Sequence, residues 1–167
     1  TEPSESFHAM ADKITNMSYK EGWFAKIGYT DDNALWLKDA IDYSYELAKS
    51  WNPDGSTAQI FSSNTKIVFL PALDWSNVTN ARNALAECSN LIFIPPLDFS
   101  NVEVIEGAFV NTNIMELAIR NTGKVTTWGY SCFGGSHARK ITKIDYLDWA
   151  SASSVYSGIF NACSSLR

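Results

Sequence analysis

The chain has 167 residues, enough for one domain or one domain with a small appendage. Hydrophobic residues make up 46% and aromatic residues 13%, which supports a real core and argues against wholesale disorder. The net charge is −5 with no run of Lys or Arg, which argues against a nucleic-acid partner. The longest uncharged apolar run, "IVFLPAL", is far too short to cross a bilayer, which argues against membrane insertion.

In chain order, the first predicted element lies in "SESFHAMADKIT". It spaces Phe7, Met10, Ala11 and Ile14 as one face of a helix, with Ser4 or Ser6 as a cap. A longer amphipathic helix is predicted over 31–51, where Trp36, Ala40, Tyr43, Leu47 and Trp51 share a face widened by Leu37, Ile41 and Ala48. Asp31 and Asp32 suit the positive end of its dipole, and "NPDG" at 52–55 stops it. No repeat is visible in this region. Residues 1–53 read as a helical N-terminal cap, whose Trp51 and Trp36 side faces the first repeat near Ile67 and Phe69. The alternative is a separate small domain that contacts a partner.

From residue 54 to 167 the chain restates itself. The large apolar residues Phe61, Leu85, Phe109, Phe133 and Phe160 recur at spacings of 24, 24, 24 and 27, within the range of solenoid repeats. Apolar or small residues stand at offsets 0, 3, 7 and 10 of each copy: Val78, Ala81, Leu85 and Cys88, then Val102, Ile105, Phe109 and Thr112, and in the last Ser153, Tyr156, Phe160 and Cys163. These offsets trace one face of a helix or helical turn.

Each copy also holds a β-branched, aromatic piece: "KIVFLPAL" at 66–73, "NLIFIPPL" at 90–97, "NIMELAI" at 113–119 and "KITKIDYL" at 140–147. These pieces are predicted strands. Pro71, Pro95 and Pro96 should end ladder pairing at the strand exit, because proline has no N–H to donate. A turn cluster follows, "DWSN" or "DFSN", with "NTGK" in the third copy. One unit has a core side and no partner for it; stacking buries each against the next, with strands in parallel ~4.8 Å apart. The expected fold is α+β: a leucine-rich-repeat-like solenoid of about four rungs with a parallel strand ladder and the helical cap. The chain stops at "CSSLR", where a further strand would begin, so the expectation is that this repeat edge continues into more rungs or is covered by another chain.

The phrase "LDWSNVTNARNALAECSNL" and its echoes resemble the BspA-like, bacterial surface-antigen class of leucine-rich repeat, in its variant with a D-x-S-N-V turn and an F-x-x-C-S-S-L corner. The matching residues are Asp74, Ser76, Asn77, Val78, Leu85, Cys88 and Leu91, then Asp98, Ser100, Asn101, Val102 and Phe109, then Asp148, Phe160, Cys163, Ser164, Ser165 and Leu166. The resemblance covers about 61–167. The third copy departs from it at Asn121–Lys124 and carries an insertion at "GGSHAR", 134–139. The resemblance implies an adhesion or protein-interaction module without catalytic residues, placed at a cell surface, extracellularly or on a phage virion, and similar to repeats in gut bacteria and their phages.

The remaining residues are weak candidates for chemistry. Cys88, Cys132 and Cys163 are too few and too far apart for a disulfide framework or a zinc site, and read as small buried hydrophobes. His8 reads as ordinary helix surface. Cys132 and His137 could pair as nucleophile and base, but Cys132 abuts the core anchor Phe133. No metal, cofactor or enzymatic activity is expected.

The strongest binding candidate is a double ladder. Asp74, Asp98, Asn121 and Asp148 occupy one slot; Trp75, Phe99, Thr122 and Trp149 occupy the next. If exposed, the aromatics Trp75, Phe99 and Trp149, flanked by the carboxylates of Asp74, Asp98 and Asp148, would grip a protein or stack on a glycan. The alternative is that the rings pack over the turn while the acids accept backbone N–H bonds. The expected function is therefore a non-catalytic surface interaction or adhesion module with a protein or glycan partner. The competing expectation is a structural component of a larger assembly, such as a phage tail or attachment protein, docking through its C-terminal repeat edge.

Overall fold

The computed structural model describes Tyr43, Glu46, Leu47, Trp51 and residues 59–70, 73–92, 94–137 and 139–167. The predicted helix around Phe7–Ile14, Trp36, Pro71 and most of 31–51 lie outside the described residues. Within 31–51, Tyr43, Glu46 and Leu47 are helical. Tyr43, Leu47 and Trp51 pack, partly buried, against the core of the repeat region. Trp51 stacks on Phe61 with ring centroids 5.6 Å apart and lies 4.9 Å from Trp75. Its indole N–H donates to the Asp74 carbonyl at 2.8 Å, and the Tyr43 hydroxyl accepts from the Asn64 amide at 2.9 Å.

Three short strands form a parallel sheet in the order β1 (Leu97–Asp98), β2 (Glu116–Arg120), β3 (Lys143–Asp145). Leu97 pairs with Ile119 and Leu117 with Ile144. Parallel single bridges join Asn80 to Val104, Val104 to Thr127 and Thr127 to Ser154. β2 and β3 fall within or close to predicted strands. Within 90–97 the described strand is confined to its end: β1 starts at Leu97, after Pro95 and Pro96. Upstream of it, Phe69 is a bridge residue, and inter-unit bonds run from Ile92 N–H to Val68 O and from Asn113 N–H to Leu91 O, each at 3.0 Å.

The spacing 0, 3, 7, 10 does not belong to a helix. Each anchor sits in a run of turns closed by i→i+3 bonds, among them Ala84 N–H to Ala81 O and Cys88 N–H to Leu85 O. Left-handed residues flank the anchors on both sides. Two positions before them stand Gln59, Asn83, Gly107, Ser131 and Gly158; two positions after the first, second, third and fifth stand Ser63, Glu87, Asn111 and Ala162. An α-helix cannot hold a left-handed residue in each turn. The reversal releases every second N–H from local bonding, and these N–H groups point to the next unit. Phe61 donates to Ala84, Leu85 to Ala108, Phe109 to Cys132 and Phe133 to Ile159, at 2.9–3.0 Å.

The anchors therefore stand in register. Phe109 stacks on Phe133 at 5.9 Å and Phe133 on Phe160 at 5.4 Å, within 16° of parallel. Phe61, Leu85, Phe109 and Phe133 are buried. Phe160 is the correction: it is 37% exposed, and Tyr156 beside it is also open to solvent.

The third unit solves its packing differently. Thr122 stands where the first two copies have Trp75 and Phe99, opening a short 3-10 turn over Thr122–Lys124. It is fully buried, and its hydroxyl both accepts from the Asp148 N–H at 2.6 Å and donates to the Asp148 carbonyl at 3.1 Å. The missing ring is supplied by Trp128, fully buried 3.9 Å from Trp149.

Candidate functional site

Backbone alternation decides the fate of the double ladder. Along β1 and into the turn, Leu97 is buried, Asp98 exposed and Phe99 buried. Trp75 is 2% exposed and Phe99 1%, so neither forms an exposed binding strip. They are core rings, 5.5 Å apart. Trp149 is half-buried and committed to Trp128. Asp74, Asp98 and Asp148 do face solvent, and each accepts a backbone N–H two residues on, from Ser76, Ser100 and Ala150, at 2.9, 3.1 and 2.9 Å. Those bonds terminate the turn. Hydrogen bonds from Ser76, side chain and then backbone, lower the pKa of Asp74. Asn121 interrupts the acidic column and donates its amide to Asp98 at 3.0 Å, the largest cause of that residue's lowered pKa, against a smaller opposing effect from Asp74.

The cysteines are structural donors. The Cys88 thiol reaches the carbonyl of Phe61 and the Cys163 thiol that of Phe133, each on the anchor of the preceding unit, at 3.0 and 3.3 Å. Cys132 reaches Ile105 O at 3.2 Å. Thr112, in the cysteine slot of its copy, turns to the carbonyl of its own anchor, Phe109, at 3.1 Å. Burial pushes the Cys88 thiol up to about 11 and raises Cys132 well above the ordinary thiol value; Cys163 is raised too. A thiol held protonated is a poor nucleophile, and His137 bonds to Ser136.

The exposed aromatics that sequence reasoning missed are Tyr130 and Tyr156. They are 58% and 43% exposed and stack on each other at 4.6 Å. Tyr146, also exposed, lies under the Arg120 guanidinium at 4.7 Å.

A concave feature adjoins the insertion at 134–139. Gly135 donates to Asn161, 26 residues on, whereas Arg139 donates to Ala162, 23 residues on. Three additional residues therefore lie between Gly135 and Arg139. Two glycines make the insertion feasible. A side chain at Gly134 would strike the Asn161 backbone of the next unit, and one at Gly135 would collide with the Asn111 carboxamide and the Arg139 guanidinium. Ser136, His137 and Arg139 help to line a cleft of about 220 Å³, together with Glu87, Ser89, Asn111 and Asn113.

The walls of the cleft are fixed by their own bonds. The Asn111 amide donates to Glu87 Oε1 at 2.7 Å, and its oxygen accepts the Ser136 N–H at 2.9 Å. Arg139 is held by Nε to the His137 carbonyl at 2.6 Å and by Nη1 to the Thr112 carbonyl at 3.1 Å. Asn113 donates to the Ser89 carbonyl at 2.6 Å. No group of three or more His, Cys, Asp or Glu residues is placed to hold a metal among the described residues. Nor is any described helix long and apolar enough to cross a membrane.

No family model, curated protein or solved structure matches this chain.

Proposed function

We propose that the chain is a non-catalytic interaction module whose units stack as a leucine-rich-repeat-like solenoid of about four rungs, capped at 1–53, and present a rigid face to a protein or glycan partner. The BspA-like resemblance of 61–167 supports this and carries the expectation of a cell-surface, extracellular or virion setting. The observation that carries the interaction role is the exposed Tyr130–Tyr156 stack. Paired aromatic faces left open on hydrogen-bonded backbone offer large contact area at low entropic cost. The stack replaces Trp75, Phe99 and Trp149 as the proposed hot spot. Raised thiol pKa values and cysteine hydrogen bonds to carbonyls support a structural role for Cys132 in place of catalysis.

The test is surface plasmon resonance of the full chain against panels of extracellular-matrix proteins and immobilised glycans. A saturable response that Tyr130→Ala/Tyr156→Ala abolishes, with the unfolding temperature held within a few degrees, supports the reading. No saturable response across both panels, or no response that the double variant abolishes, overturns the assignment of the tyrosine face.

A second reading has its own observation. Phe160 and Tyr156 expose apolar surface together with Val155 on the last described unit. Such a surface suits docking in a larger assembly. Sedimentation velocity separates the two: a monomer at high concentration favours the interaction module, and ordered self-association that Phe160→Asp abolishes favours the assembly component.

A further inference from the structure

We infer that the cleft between Glu87, Asn111, Asn113, Ser136, His137 and Arg139 is a binding site for a single neutral sugar ring. The inference rests on the interaction-module reading and names the chemistry of one of its two partner classes. Three observations on the cleft select the ligand.

The first is the set of polar atoms still free after the internal bonds are counted. Among the described residues, Arg139 keeps its Nη2 donor, Glu87 its second carboxylate oxygen and Asn113 its amide oxygen, and His137 keeps Nε2. Donors and acceptors thus face one space. A hydroxyl both donates and accepts. A vicinal pair of hydroxyls can accept from Arg139 while donating to Glu87. An anion at the same place would meet the Glu87 carboxylate, and a cation the Arg139 guanidinium. A neutral polyol answers both charges at once.

The second is size. About 220 Å³ lies below the usual volume of pockets for drug-sized ligands, so the cleft takes one ring, with the remainder of any chain in solvent.

The third is preorganisation. Two backbone carbonyls hold the Arg139 guanidinium, and Asn111 braces Glu87 against Ser136. Little side-chain freedom is left to lose on binding. Gly135 keeps the floor open, since a β-carbon there would run into Asn111 and Arg139.

The experiment is saturation-transfer NMR and titration of the full chain with methyl glycosides of glucose, galactose, mannose and N-acetylglucosamine, beside glucuronic acid and N-acetylneuraminic acid. At least one neutral glycoside should bind saturably and perturb the Arg139 Nε–H resonance. Arg139→Ala should weaken it by about tenfold or more, the loss of one charged hydrogen bond. Gly135→Ala should weaken it as well, with folding checked by the amide spectrum. Tyr130→Ala/Tyr156→Ala should leave it unchanged, which separates this site from the tyrosine face. Binding of the acidic sugars alone, no saturable binding of any neutral glycoside, or binding that ignores Arg139→Ala overturns the inference. A protein partner that binds through the tyrosines would still stand in each of those cases.

Discussion

The indole of Trp128 stacks on that of Trp149 at 3.9 Å, in the unit where Thr122 takes the slot of a large ring. In the second unit the buried pair of positions holds Phe99 and Ile105; in the third the sizes are exchanged, Thr122 with Trp128. Core volume is kept while its location along the chain moves. The indole N–H of Trp128, like that of Trp75, has no partner among the described residues.

This exchange makes Thr122 and Trp128 energetically coupled. Trp128→Ile alone should cost about 2–4 kcal/mol through the cavity it opens. Thr122→Phe alone should also destabilise, by overpacking and by stripping the Asp148 N–H of its acceptor. The double variant, which copies the Phe99–Ile105 pattern, should recover at least ~1 kcal/mol relative to the sum. Urea denaturation of the four proteins measures this, and strict additivity would count against the exchange.

Left-handed backbone at a residue with a β-carbon is a cost that glycine removes. Ser63 adopts φ 61° two positions after its anchor. Ser63→Gly should raise stability by up to about 1 kcal/mol, net of the chain entropy glycine adds. Ser62→Gly, one residue earlier and outside the left-handed set, should lower it. If both substitutions destabilise equally in thermal melts, the alternating left-handed turns are wrong.

The repeat was legible because its period is imposed by the core. Phe61, Leu85, Phe109 and Phe133 meet the same environment every 24 residues, and the sequence shows it. What fills the spacing was not legible from apolar positions alone. Successive i→i+3 turns and a helix share the offsets 0, 3, 7 and 10, and only the sign of φ separates them. Asn83, Gly107, Asn111 and Gly158 hinted at left-handed backbone, but Gln59, Ser63, Glu87 and Ala162 carry no such signature. The burial of Trp75 and Phe99 could have been read: with Leu97 inward, alternation puts Asp98 out and Phe99 in. The cleft could not, because Glu87, Asn111 and Arg139 come from three different units and share no local motif.

Cys88 links stability to alkaline pH. Its folded-state pKa, about 11, is raised above the ordinary thiol value of 9.0. The folded state therefore holds its proton longer. Stability is full below pH 9 and is lost as pH rises from 9 to 11, on the order of 2 kcal/mol for this one group. Cys88→Ala should remove that part of the pH dependence in urea midpoints measured between pH 8 and 11. An unchanged slope would show that the thiol is not held as described. In native protein the half-buried Cys163 should react with a thiol reagent before Cys88 and Cys132.

Asn121 tunes Asp98. Its amide bond is the leading cause of the lowered Asp98 pKa. Removing it by Asn121→Gly, which preserves the left-handed backbone at φ 60°, should raise that pKa toward the ordinary carboxylate value. The stability the pair supplies is present above the unfolded carboxylate pKa and is lost as pH falls through the folded one. NMR titration of the Asp98 side chain reads the shift directly; no upward movement in the variant contradicts the assignment.

Consecutive units lie in register, anchor over anchor. Ring-to-ring nuclear Overhauser effects in protein with selectively labelled phenylalanine test this without assuming a partner. Cross-peaks between Phe109 and Phe133 and between Phe133 and Phe160, separated by 5.9 and 5.4 Å, are predicted. A folded protein whose three rings show no such contacts would contradict the stacking and the interaction face built on it.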